Sequence, residues 1–129
     1  MDITPVIPDT YNVITGYSKG SFLINEERYI GNIIISRDKI WPWDNCNIDN
    51  ISKESFETII KDVTSKVSMG NIILLVGLGE SHHVAPFKLS HALSIYNISI
   101  DIMSTAAACR TYNILLAEGR EVYAALKGL

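Results

Sequence analysis

The chain has 129 residues, 47% of them hydrophobic and 19% charged, which suits one compact globular domain and excludes a disordered protein. Its formal net charge is −3, with seven acids against four bases in residues 1–50 and seven of each in residues 51–129. Without a Lys/Arg cluster, a nucleic-acid partner is not expected.

Residues 1–10 hold two prolines and no apolar pattern, and read as an extended arm. From Tyr11 to Trp43 the pattern is that of β-hairpins. Val13–Tyr17 and Ser21–Ile24 flank a three-residue turn, Ser18-Lys19-Gly20, with glycine available for positive φ. Arg28–Ser36 reads as one longer strand, buried on both faces at Ile33, Ile34 and Ile35. Arg37-Asp38-Lys39 turns it into Ile40–Trp43, where Pro42 lacks a ladder donor and so marks an edge or an end.

A polar loop at 44–51 leads to Ser52, which caps a helix with Glu54 and Glu57 in its first turns. Phe56, Ile59, Ile60, Val63 and Val67 give that helix one apolar face, and Met69-Gly70 ends it. Ile72–Val76 is an unbroken apolar run, the mark of a central strand covered on both sides. After the loop Gly77–Ala85, Pro86 opens a second helix with Leu89, Ala92, Leu93 and Tyr96 on one face, and Asn97 supplies a left-handed stop. Ile98, Ile100 and Ile102 alternate along a strand expected to run parallel to the first across a right-handed crossover. Ser104 or Thr105 caps a third helix, Gly119 stops it, and a second apolar alternation (Val122, Ala124, Leu126) closes the unit.

Successive residues of the third helix turn by about 100°, so Cys109, Tyr112 and Leu116 share a stripe, with Ala108 and Leu115 beside it. Arg110 and Asn113 fall on the opposite side. Tyr112 is therefore expected in the core with its hydroxyl tied down, and Arg110 outside it. The fold class read from these elements is α/β. A single domain covers 1–129, with an N-terminal antiparallel β-hairpin layer at 1–43 and an α/β portion at 52–129.

The loop GLGESHH leaves a strand with Gly-x-Gly, but His82 stands where a dinucleotide fingerprint needs its third glycine, and the next helix starts late. The glycines then serve close backbone approach. His82 and His83 are adjacent and His91 lies on another helix, so no metal site is expected. A Cys109–His82 nucleophilic pair is opposed by the inward register of Cys109. No catalytic constellation and no cofactor motif emerge. The small residues Ser104 and Thr105 at a helix N-terminus, with Gly77, Gly79 and Arg110, suggest an anion pocket at the carboxyl end of the sheet. The alternative is that Arg110 pairs with Glu80 or Asp44 and locks two loops. Trp41 and Trp43 either seal the hairpin layer against the main sheet or present an aromatic anchor to a protein partner.

No apolar run is long enough to span a bilayer, and the start MDITPVIPDT lacks the basic and apolar regions of a secretory signal. Cys46 and Cys109 make neither a disulfide framework nor a zinc site, so a reducing, cytoplasmic setting is expected.

The string ACRTYN–LLAEGR–V–AAL, preceded by the Gly-x-Gly strand exit at Val76–Gly79, resembles the Mth-domain family of unknown function. The resemblance extends to the N-terminal hairpins and the Trp-Pro-Trp corner. That family includes a mitochondrial assembly factor of respiratory complex I and an adipogenesis-associated protein. The resemblance implies a three-layer Mth-like fold, with a central mixed, mostly parallel sheet and helices, and a non-catalytic protein-interaction module. Its implied partners are respiratory-complex subunits or a second assembly factor, with peripheral membrane association. Two other classes stay open from the residues themselves. One is a small-molecule binder or enzyme using the Gly77–Gly79 and Arg110 region; the other is a structural homodimer.

Overall fold

The computed structural model describes residues 7–44, 51–66, 70–80 and 84–128. Part of the expected arm (1–6), Cys46 and most of the polar loop (45–50), Val67, Met69, His82 and His83 lie outside the described residues. The chain runs through β1 (Ile14–Ser18), β2 (Ser21–Ile24), β3 (Glu27–Ile30), β4 (Ile33–Ser36) and β5 (Ile40–Pro42). A 3-10 turn at Lys53–Phe56 leads into α1 (Glu57–Thr64), followed by β6 (Ile72–Leu78), α2 (Phe87–Ser94), β7 (Ile98–Met103), α3 (Thr105–Ala117) and β8 (Val122–Lys127).

Strands β1–β3 form a small antiparallel sheet, and the other five form a mixed sheet in the order β5-β4-β8-β6-β7. β6 is parallel to both β7 and β8, while β4 is antiparallel to both β5 and β8. Four strands thus point one way and β4 alone points back. Helices α1 and α2 cover one face, and α3 with the small sheet covers the other. These are the three layers of the expected α/β fold.

The hairpins differ in detail from the sequence pattern. Ser18 pairs with Ser21, so the first turn has two residues, Lys19 and Gly20, with Gly20 at φ +76°. The second turn, Asn25-Glu26, holds both residues at positive φ (50° and 69°), the geometry that matches the twist of antiparallel strands. The Asn25 carboxamide steadies it by accepting from the Val13 N–H at 3.0 Å and donating to the Tyr11 carbonyl at 3.1 Å.

Arg28–Ser36 is two strands in two sheets, not one. The break is at Gly31, whose φ of +93° an L side chain rarely adopts, and it carries the chain from the small sheet into the large one. The hairpin layer therefore ends at Ile30, and β4 and β5 of the expected 1–43 layer belong to the main sheet. β4 is buried at every position, and β5 with its exposed Pro42 forms an edge.

β8 is the middle strand of the sheet, with more than one apolar face to bury. Val122, Ala124 and Leu126 pack toward α3, while Tyr123 and Ala125 pack toward α1 and α2. β6 lies between β8 and β7, so the β7–α3–β8 crossover skips a strand.

Ser104 caps α3 by accepting from the Ala107 N–H at 3.2 Å. Gly119, at φ +78°, ends it: Gly119 N–H donates to Leu116 and Arg120 N–H to Leu115, satisfying two carbonyls of the last turn. Tyr112 is 0% exposed and donates its hydroxyl to the Asn12 carbonyl at 2.8 Å. Asn113 does not face away from the fold. Its carboxamide accepts from the Ile14 N–H (3.0 Å) and donates to the Ile14 carbonyl (2.7 Å), clamping β1 to the helix.

Gly77 is a residue of β6, not of the loop after it. A Cβ there would sit 2.8 Å from the Thr105 Cα and 3.2 Å from the Ala108 Cβ, so α3 lies on the sheet only because this position has no side chain. Gly77→Ala is expected to push the helix off the strand and cost about 1–3 kcal/mol, read from chemical denaturation at neutral pH. Tyr112→Phe should lose about 1 kcal/mol with the buried hydrogen bond, and Tyr112→Ala about 3–5 kcal/mol, in the same measurement.

Candidate functional site

Of the five residues expected to form an anion pocket, the structure brings four together. Thr105 is the knot. Its N–H donates to the Gly79 carbonyl at 2.7 Å, and its hydroxyl accepts from the Gly79 N–H at 2.9 Å and donates to the Lys127 carbonyl at 2.8 Å. Ser104 is occupied by the Ala107 N–H. These groups tie the ends of β6 and β8 to the start of α3, which fits the structural role of the glycine pair. Gly79 takes φ +77° to make the exit.

Arg110 is not part of this cluster. It is exposed on α3 and lines a shallow groove of about 130 Å³ beside β1, with Thr15, Tyr17, Cys109 and Asn113. It forms no ion pair with any described residue, so neither Glu80 nor Asp44 is its partner. Cys109 is buried, and that burial pushes its thiol up to about 12 against the opposing charge of Arg110. A thiol so far from ionising is a poor nucleophile. His91 is exposed on α2 and stacks on Phe87.

The two tryptophans lie on the helical face of the sheet, away from the hairpin layer. Trp43 is 3% exposed, donates its indole N–H to the Ser55 carbonyl at 3.0 Å and stacks on Phe56, so it offers no surface to a partner. Trp41 is half-buried on the edge strand and stacks on Tyr123 at 6.5 Å between ring centroids. It borders an open groove of about 310 Å³ with Lys39, Lys61 and Asp62.

The floor of that groove holds a cluster the sequence pattern does not announce. Asp62, on α1, is 6% exposed. Its carboxylate accepts from the Tyr123 hydroxyl of the central strand, from the Lys39 ammonium at 2.7 Å, and meets the Lys66 ammonium at 3.2 Å. Burial alone would raise the Asp62 pKa, but donation from Lys39, Tyr123 and Lys66 outweighs it and holds the carboxyl below its ordinary value. The same contacts raise Lys39, chiefly through its hydrogen bond to Asp62. Burial first, then the Asp62 hydrogen bond and charge, lift Tyr123 far above its ordinary range. The tyrosine remains a neutral donor and the aspartate an acceptor.

Two features of the sequence point to this cluster after the fact. Asp62 follows Ile59 by three residues and precedes Val63, which puts a charge on the apolar face of an amphipathic helix. Tyr123 stands among five consecutive buried residues. A charge and a phenol buried on facing elements satisfy each other.

A carboxyl whose pKa is depressed by folding contributes stability above its unfolded pKa, near 4, that is lost as pH falls through the folded value. Asp62→Asn is expected to cost about 1–3 kcal/mol at pH 7, because the lysines it leaves behind reach solvent. It should also flatten the fall in stability below pH 4. Urea midpoints for both proteins between pH 7 and pH 3 measure the two effects together.

The fold has counterparts among known proteins. The 13 kDa major membrane protein of Francisella tularensis subsp. holarctica is 28% identical over 108 residues, covering 82% of each chain. NADH dehydrogenase (ubiquinone) 1 alpha subcomplex assembly factor 3 of Drosophila melanogaster is 29% identical over 119 residues. The match takes in 88% of this chain but 57% of the assembly factor. The human assembly factor is 26% identical, with 59% of its length covered. Among solved structures, an outer membrane protein of Bartonella henselae superposes with a TM-score of 0.76 at 30% identity, covering 92% of this chain and 95% of its own. A Bordetella pertussis protein described as a Mth938-like domain superposes at 0.77, covering 99% and 92%; at 24% identity this establishes the shared fold. The family model for a protein of unknown function (DUF498/DUF598) matches residues 14–127, and the chain belongs to that family.

Proposed function

We propose that this chain is a non-catalytic protein-interaction module that assists assembly of a membrane-associated complex, respiratory complex I being the leading candidate. The observation that carries this reading is the similarity to the complex I assembly factors, which spans 88% of this chain in the Drosophila and bovine proteins alike. Those relatives are longer, so the comparison concerns the domain they share with this chain. The chemistry of the described residues is consistent with it. Thr105, Asp62 and Tyr123 are engaged in holding layers together, and Cys109 is sealed from solvent.

The partner surface in this reading is the groove beside Trp41. A half-buried tryptophan on an edge strand, flanked by Lys39 and the exposed Lys61, combines an aromatic anchor with a polar rim. Its aromatic plane is held in place by Tyr123 behind it, so little side-chain freedom is lost on binding.

The test is affinity capture of the tagged chain from membranes of its native cell, with subunits of respiratory complex I quantified in the eluate. Wild type is expected to recover them, and Trp41→Ala to reduce recovery at least tenfold, with Lys61→Ala as a second variant that spares the core. Circular dichroism melting of each variant separates lost binding from lost folding. Absence of complex I subunits with wild type, or equal recovery with both folded variants, would overturn the reading.

A further inference from the structure

The main sheet ends in two edges that are built differently. β5 is three residues long, and the Trp43 N–H donates to the Asn32 carbonyl, so Trp41 and Trp43 turn their backbone toward β4 while Ile40 and Pro42 turn theirs outward. Pro42 has no N–H, and that edge has little to give another strand. β7, at the far side, is six residues long, and β6 is its one neighbour among the described strands. The Ile72 N–H donates to the Asn97 carbonyl at 2.8 Å, which fixes the phase of this parallel ladder. The backbones of Asn97, Ser99, Asp101 and Met103 turn toward β6. Those of Ile98, Ile100 and Ile102 direct their N–H and carbonyl groups away from it. No proline or bulge interrupts β7.

The side chains of this edge specify what can pair with it. Ile98 and Ile102 are buried toward α1 and α2, and Ile100 is only partly covered by the same cluster. Ser99 and Asp101 are exposed on the other face. Asp101 is the one charge on the strand and makes no ion pair with any described residue. The acids Glu54 and Glu57 lie with Lys53 and Lys61 around Tyr96, on the helical face, and Lys88 is exposed on α2. An antiparallel copy of β7 can match its outward residues in few registers. The register centred on Ile100 uses all of them, pairing Ile98 with Ile102 and Ile100 with itself, each pair exchanging two hydrogen bonds. It sets Asp101 of each copy against Ser99 of the other. The Ser99 hydroxyl and the Asn71 carboxamide, 3.1 Å apart, present donors to that carboxylate. The register centred on Asp101 opposes two like charges, which disfavours it.

We propose that β7 pairs antiparallel with β7 of a second copy about a two-fold axis at Ile100, joining the two main sheets into one continuous sheet. The interface is isologous, the same strand serving on both sides. The partly covered Ile100 side chains meet across the axis on the helical face, and the Ser99–Asp101 contacts close the other. β5 and Trp41 lie at the opposite edge, so pairing leaves the Trp41 groove free in both copies. The proposal is independent of the assembly reading.

The experiment is size exclusion with light scattering over a range of protein concentrations, in which wild type is expected to dimerise. Ser99 is exposed, so its variants spare the core, and melting curves should match wild type. Ser99→Asp opposes Asp101 twice per dimer and should weaken association at least tenfold. Ser99→Lys makes two opposite-charge pairs instead and should tighten it about fivefold. Ser99→Asp combined with Asp101→Lys should restore the dimer. Oxidation reads the register. Ile100→Cys, with Cα atoms about 5.5 Å apart across the axis, should give a disulfide-linked dimer. Ser99→Cys, out of register with itself, should cross-link no more than wild type. Three results would overturn the proposal. They are a wild-type monomer at the highest soluble concentration, a dimer that Ser99→Asp leaves intact, and cross-linking through Ser99→Cys but not through Ile100→Cys.

Discussion

The architecture depends on one close approach. At Gly77 the backbone of β6 comes within a side chain's thickness of α3, and Thr105 locks the contact through both its backbone and its hydroxyl. With the helix lowered onto the sheet there, Cys109, Tyr112 and Leu116 reach the sheet and the hairpin layer together. The tyrosine hydroxyl then meets Asn12, and the neighbouring Asn113 takes the backbone of β1. The small antiparallel sheet has no core of its own to speak of, and β3 is largely exposed. It is held by α3, and α3 is positioned by the absence of a side chain at Gly77.

The opposite face is organised differently. There a charge is placed inside, where Asp62 joins α1 to the central strand and to the β4–β5 turn at once. Such a carboxylate is costly to desolvate, and three donors offset that cost only when all the elements are in register. Trp41 stacks on Tyr123 of the same cluster, so the geometry of the exposed groove is inherited from a buried carboxylate and its donors. The two faces of one sheet are thus fixed by different means, an apolar close contact on one and a hydrogen-bonded charge on the other.

Much of this was legible in local pattern. Ile72–Val76 announced a strand covered on both sides, the stripe of α3 placed Tyr112 inward and Arg110 outward, and Asn97 and Gly119 marked helix ends. The helix apolar face from Phe56 to Val63 was equally plain. What local pattern does not carry is which sheet a strand joins. Ile30 and Ile33–Ile35 read as one apolar run, and only the positive φ at Gly31 divides them. Nor does it report pairing at a distance: Asp62 on its apolar helix face and Tyr123 in its apolar strand are 61 positions apart, and neither names the other. Of the five residues expected at the anion pocket, four gather and Arg110 stands apart. Arg110 follows Thr105 by five residues, which carries it away from the helix start toward β1.

The strand order has a consequence for how this chain is made. β8 follows every other described strand, yet it sits in the middle, between β4 and β6. Until it emerges from the ribosome, the two strands that will flank it each present a bare edge, and the sheet exists as separate pieces. Closure is therefore late, dominated by partners far apart in the chain, and sensitive to anything that delays the final stretch. A nascent chain halted before Val122 would display two unpaired, isoleucine- and leucine-rich borders, a natural substrate for chaperones that hold extended segments.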